Sequence, residues 1–225
     1  IQISIYHKSV IKVIYDQLNI NNDENIISLK DKTRLNEFNF KNKISIENIS
    51  FSYNNTGSHA LKNVSFNINK NESVGIKGSS GSGKSTLITL MMGMLKPLEG
   101  DIKCDDVSIF DDINNWQNKI SYVPQDVFLI NDTIKKNIAF GLDENEINNI
   151  KIEKVLDMVF LNDFIKKLPN GIDTVVGERG ANISGGQKQR IGIARALYRS
   201  PEILIMDEST NSLDEFTENE LIEDL

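Results

Sequence analysis

Gly78 to Thr86 reads Gly-Ser-Ser-Gly-Ser-Gly-Lys-Ser-Thr, a loop whose residue types and spacing suit it to holding phosphate. It fits the pattern G-x-x-x-x-G-K-[ST], and the apolar run Val74 to Ile76 before it predicts a strand that delivers the loop. Gly78, Gly81 and Gly83, with Ser79, Ser80 and Ser82 between them, let successive backbone N–H groups turn inward around phosphate oxygens. A helix expected from about Ser85 onward, with Thr86 in its first turn, aims its positive dipole end at the same point. The ligand this chemistry suits is a polyphosphate. Lys84 would meet its β- and γ-phosphates as a point charge, and the Ser85 hydroxyl would complete a Mg²⁺ shell.

A second pair of reactive groups lies downstream. Ile203 to Met206 is a run of four apolar residues that predicts a buried parallel strand, and it ends in Asp207-Glu208. Two carboxylates at the carboxyl end of such a strand lie where α/β sheets gather their ligands. Asp207 is suited to holding Mg²⁺ through its water shell, and Glu208 to polarising the water that attacks a γ-phosphate.

The elements that position these groups can be read around them. Ile3, Tyr6, Val10, Ile14 and Leu18 recur at helical spacing, so residues 1–18 predict an amphipathic helix, followed by a polar linker over 19–43. A compact domain is expected over 44–225. Alternating apolar residues predict strands over Ile44 to Tyr53 and Leu61 to Ile68, giving an antiparallel β region. Short strands are expected around Ile102 and over Ile120 to Val123, then a helical block from Thr133 to Leu168, and a helix over Gln187 to Tyr198.

Composition limits the classes. The chain has 225 residues, 39% of them hydrophobic, enough for a sizeable core. A formal net charge of -7 argues against a nucleic-acid coat, so no nucleic acid is expected as a partner. Cys104 is the single cysteine, so no intrachain disulfide can form, and a reduced compartment fits. The longest apolar patch, Leu87 to Leu95, is too short to span a bilayer.

Ile183-Ser184-Gly185-Gly186-Gln187, followed by Lys188-Gln189-Arg190, resembles the signature motif of the ATP-binding-cassette (ABC) family. Ser184, Gly185, Gly186 and Gln187 again place backbone N–H groups and a helix dipole before an anion. In that family the motif serves the γ-phosphate held by a second subunit. The resemblance runs from Ile44 to Leu225. It implies that Gln125, in Tyr122-Val123-Pro124-Gln125-Asp126, links Mg²⁺ and nucleotide to the helical subdomain, and that Tyr53 stacks on adenine. It also implies that Ser212-Leu213-Asp214 touches the phosphate loop of the other subunit, with Asp214 at the nucleotide. Gly177-Glu178-Arg179-Gly180, Thr133-Ile134 and Asn137-Ile138 are similar to segments of exporters whose membrane and ATPase parts share one polypeptide.

The resemblance implies an α/β P-loop NTPase with a RecA-like core, an antiparallel β subdomain and a helical subdomain. Its expected ligands are ATP and Mg²⁺, with Glu208, Lys84 and Gln125 as the catalytic groups and Ser85, Gln125 and Asp207 around the metal. The expected role is the motor of an exporter or flippase, at the cytoplasmic face of the membrane. Its partners would be a membrane domain and a second nucleotide-binding domain, identical or merely similar. On this reading residues 1–18 are the tail of a membrane domain. The family's switch histidine is not matched, since His7 and His59 both precede the phosphate loop, and the chain reads as truncated, hence weakly active alone. Ile183 stands where the family has Leu, and Ser209-Thr210-Asn211 replaces an Ala-Thr-Ser run. The alternatives are a soluble cassette ATPase of DNA repair, chromosome structure or translation, and a RecA-like or other P-loop ATPase, which the signature motif disfavours.

Overall fold

The computed structural model describes residues 40–53 and 59–207. The helix and linker expected over 1–39, and Glu208 and Asp214, lie outside the described residues.

Alternating apolar residues after Lys43 give β1 (Lys43–Phe51), which pairs antiparallel with β2 (Leu61–Asn69) on one side. On its other side lies β3 (Glu99–Cys104), reached after the helix α1 (Lys84–Met91), and β3 turns back into the short β4 (Val107–Ser108). The order is therefore β2-β1-β3-β4, all antiparallel, as the alternation predicts. Ladder register shifts on both sides of Asn48, where the backbone adopts φ 51°. Gly100 is needed opposite that bulge: its φ is 85°, and a Cβ there would lie 2.2 Å from the Glu47 carbonyl oxygen. Ile44, Ile46, Ile49 and Ile102 of this sheet are buried with Leu87, Leu90 and Met91 of α1.

The turn between β3 and β4 is made by Asp105 and Asp106, both at positive φ, as a two-residue hairpin requires. The Asp105 carboxylate accepts hydrogen bonds from three successive backbone N–H groups, those of Lys41, Asn42 (2.8 Å) and Lys43 (2.9 Å). Burial raises the carboxyl's pKa, but these donors outweigh it and hold it below its ordinary value. Phe40 is buried in the same core and its carbonyl accepts from Lys70 Nζ at 2.6 Å, so the folded domain begins by residue 40, inside the stretch expected to be linker.

A second sheet is parallel: β5 (Ile120–Val123) pairs in register with β6 (Ile203–Met206). Between β4 and β5 lies α2 (Ile113–Asn118), whose buried Trp116 donates from Nε1 to the Met91 carbonyl at 2.8 Å. The next residue, Gln117, donates to Met92 O at 3.2 Å. The carboxyl end of α1 is thereby fixed beside the beginnings of β5 and β6, which share the Lys119 carbonyl through Glu202 and Ile203.

Two expectations are corrected here. The segment Val74 to Ile76 forms no strand, and both flanking residues are exposed, because no described strand offers it a ladder of hydrogen bonds. For the same reason β6 is parallel but only half-buried, since β5 is its single partner among the described residues.

The helical block is divided into α3 (Ile134–Ile138), α4 (Asn149–Met158) and α5 (Asn162–Lys166), separated by turns. Local chemistry sets the breaks. Thr133 and Asn148 cap α3 and α4 through their side chains, and Phe160 at φ 53° ends the α4 path. The last helix, α6 (Gly185–Tyr198), buries Ile191, Ile193 and Ala194 against this block and against Val123 of β5.

Candidate functional site

Helix α1 begins at Lys84, directly after Gly83 at φ 94°. A Cβ on Gly83 would fall 2.6 Å from the Ala60 carbonyl oxygen, so the loop can press against the start of β2 only with glycine there. Gly81, at φ 78°, has open space where its Cβ would be. No side chain caps α1, which leaves its first N–H groups for an incoming anion. Lys84 folds over its own loop, donating from Nζ to Gly78 O (2.8 Å) and Ser79 O (3.1 Å). The ammonium thus sits at the loop whose amides would hold phosphate. A glycine cradle, uncapped amides and a cation in one place fit a nucleotide polyphosphate.

Tyr53 lies against the same helix. Its hydroxyl is 3.1 Å from Thr86 Oγ1, and its ring meets Phe51 edge-on at 5.1 Å between centroids. The ring is 62% exposed, so a face remains open for a base. The structure therefore brings Tyr53 and the phosphate loop together.

Asp207 follows β6 and takes its place through its backbone, which donates to Val123 O at 3.0 Å. Gln125, two residues past the end of β5, is exposed near the same sheet edge. Among the described residues no group of three or more His, Cys, Asp or Glu could hold a metal. The expected holders of a bound Mg²⁺ would be Ser85, Gln125 and Asp207, with water and the nucleotide's own phosphates completing its shell.

Ser184, Gly185, Gly186 and Gln187 start α6 in a different manner. Ser184 Oγ accepts from Gln187 N (3.3 Å), and Gln187 Oε1 accepts from Ser184 N (3.0 Å), a reciprocal capping box.

Three residues to which the motifs assign no role of their own shape the site. Tyr122 donates from its hydroxyl to Asp207 Oδ2 at 3.2 Å. Asn137, fully buried, binds the backbone of Ile130 at both its carbonyl and amide ends, each at 3.0 Å. Arg195 of α6 donates to Asn137 O (2.8 Å), Asn137 Oδ1 (3.2 Å) and Phe128 O (2.9 Å), and its guanidinium lies over the Phe140 ring. Burial draws the Arg195 pKa down, but a guanidinium remains charged. The segment after Gln125 is in this way pinned to α3 and α6. Gly192 permits the close approach, since a Cβ there would lie 2.4 Å from Val127 Cγ2. A cavity of about 230 Å³ opens between β5 and α6, lined by Ser121, Tyr122 and Arg195 among others, and it is separate from the phosphate loop. Only the alternation of β5 hints at Tyr122, and nothing in the spacing of Asn137 and Arg195 announces their contact.

The ABC transporter family model matches residues 61–211, more than half of the sequence. The chain belongs to the ABC transporter family. As an ABC ATPase domain it has the P-loop NTPase fold and binds and hydrolyses ATP. An uncharacterized ABC transporter ATP-binding protein of Bacillus subtilis is 44% identical over 185 residues, covering 80% of this chain and 31% of that protein. An ATP-dependent lipid A-core flippase of Ralstonia nicotianae is 38% identical over 79% of this chain and 30% of its own length. A putative export ATP-binding/permease protein of Rickettsia prowazekii is 40% identical over 88% of this chain and 36% of its own. Among solved structures, a bacterial Atm1-family ABC exporter with ATP bound matches with a TM-score of 0.75 and 37% identity, over 82% of this chain and 32% of that one. This ABC domain therefore spans about a third of the length of the relatives it matches. No described helix is long and apolar enough to cross a membrane.

Proposed function

We propose that the chain is the ATP-driven motor of an exporter or flippase, working at the cytoplasmic face of a membrane. The observation that carries this reading is the uncapped start of α1, with Lys84 folded over a glycine cradle, in a chain whose matched relatives include exporters and flippases. Residues 1–18 then belong to the tail of a membrane domain and the stretch from 19 up to Phe40 mainly to a linker, while the nucleotide-binding domain starts at Phe40, a few residues ahead of the expected residue 44. Since these relatives are named for export or flipping, the soluble repair or translation alternative is not favoured.

In this function the amides after Gly78 and the Lys84 ammonium bind the β- and γ-phosphates, while Tyr53 stacks on adenine. Ser85, Gln125 and Asp207 hold Mg²⁺, which neutralises charge on the phosphates. Glu208 orients and polarises the attacking water. Ser184 to Gln187 of one copy, with Asp214 beside them, complete the site on a second copy, identical or similar. A single chain therefore hydrolyses ATP poorly, because its own signature motif serves another chain's nucleotide, and dilute copies lack the effective concentration that tethering provides.

Titration of a fluorescent ATP analogue against the wild type and Lys84→Ala tests the reading at its base. Affinity should fall by at least tenfold on loss of this charge-assisted phosphate contact. Equal affinities would remove the phosphate loop from the account.

A further inference from the structure

The two strands of the parallel sheet place a tyrosine hydroxyl on the carboxylate of Asp207. Tyr122 pairs in register with Ile205, two residues before Asp207. Its side chain lies on the strand face opposite the buried Ser121 and Val123, and its hydroxyl reaches Asp207 Oδ2 at 3.2 Å. The backbone of Asp207 is fixed independently, by donation to Val123 O. An aspartate at the end of a strand has two free side-chain torsions, and a bond to one carboxylate oxygen removes much of that freedom. With Oδ2 held, Oδ1 would be left to accept from a metal-bound water.

We infer that Tyr122 is a positioning residue for the metal, orienting the Asp207 carboxylate through the bond between its hydroxyl and Oδ2. This rests on the proposed role of Asp207 toward Mg²⁺. The hydroxyl acts through the carboxylate, as partners of metal-binding groups commonly do. The residue type matters in one atom. Phenylalanine would fill the same half-exposed space and keep the ring, but would leave Asp207 free to rotate.

The test uses the full chain, a fluorescent ATP analogue and Mg²⁺ added from zero in chelated buffer. Wild type, Tyr122→Phe, Asp207→Asn and the double variant are compared for analogue affinity without metal and for the Mg²⁺ concentration giving half of the metal-dependent gain. Removing a metal ligand's partner typically costs 10–100-fold in metal affinity, and a partly exposed partner should cost less, so Tyr122→Phe is expected to raise that concentration by about three- to tenfold. Affinity without metal should not change, which a merely structural role for the ring would not produce. In the Asp207→Asn background the tyrosine change should add nothing. If Asp207→Asn raises the Mg²⁺ requirement while Tyr122→Phe does not, or if Tyr122→Phe acts equally in both backgrounds, the inference is overturned and the reading of Asp207 stands. If Asp207→Asn itself leaves the Mg²⁺ requirement unaltered, that reading falls and the inference with it.

Discussion

Helices α1 and α6 both begin at serine- and glycine-rich loops, but their first turns are satisfied differently. The start of α6 is occupied by the chain itself, with Ser184 and Gln187 exchanging hydrogen bonds across the first turn. No side chain caps the start of α1, where the Lys84 ammonium rests on two carbonyls of the loop. An anion arriving at α1 meets donors without a side-chain competitor. At α6 it competes with Ser184 Oγ for the Gln187 N–H. On the proposed two-copy reading the difference implies an order of assembly: one chain would take nucleotide first, and its signature turn would join only where a ligand already held elsewhere compensates for opening the box.

The glycines sharpen this contrast most. Gly83→Ala places a side chain at φ 94° and against the Ala60 carbonyl, so it should lower stability by about 1–3 kcal/mol from the backbone alone and abolish binding of an ATP analogue. Gly185→Ala meets nothing within 4 Å and should cost no stability. Denaturant melts of the two variants decide the matter, and equal losses would dissolve the distinction.

Removal of the serines should give a smaller effect of the opposite pattern. Ser184→Ala should destabilise the chain by about 1 kcal/mol through loss of a cap, whereas Ser85→Ala, at a helix without a side-chain cap, should leave the melt in place. A comparable loss in both would show that α1 also depends on a serine for its own folding.

The smallest effect is expected at Gln187. Gln187→Ala deletes one half of an exposed capping box and should cost roughly 0.5 kcal/mol, read in the same melts. A gain in stability would mean that the box is strained in the free chain.

Both helix starts are legible in the sequence because their chemistry is local. A glycine at positive φ, or a serine three residues before a glutamine, depends on a handful of neighbours. The strands Ile120–Val123 and Ile203–Met206 are legible too, since each is a short apolar run between turns. Burial of the second is not, nor is the state of Val74 to Ile76, because a strand's exposure depends on what pairs with it across the sheet. The bond from Tyr122 to Asp207 joins residues 85 apart and exists only through the register of β5 on β6. The contact of Arg195 with Asn137 spans 58 residues and needs α6 packed on α3 before it has meaning.

The Asp105 carboxylate, which gathers the amides of residues 41–43, has a mechanical consequence. Tension applied to the chain ahead of residue 40 meets the buried Phe40 and then this carboxylate before it reaches the ladder of β1. Because β1 is held along its length by β2 and β3, a pull along its axis would load many bonds at once, in shear. With the carboxylate gone, the same pull would peel residues 41–43 away one bond at a time before it met the paired strands.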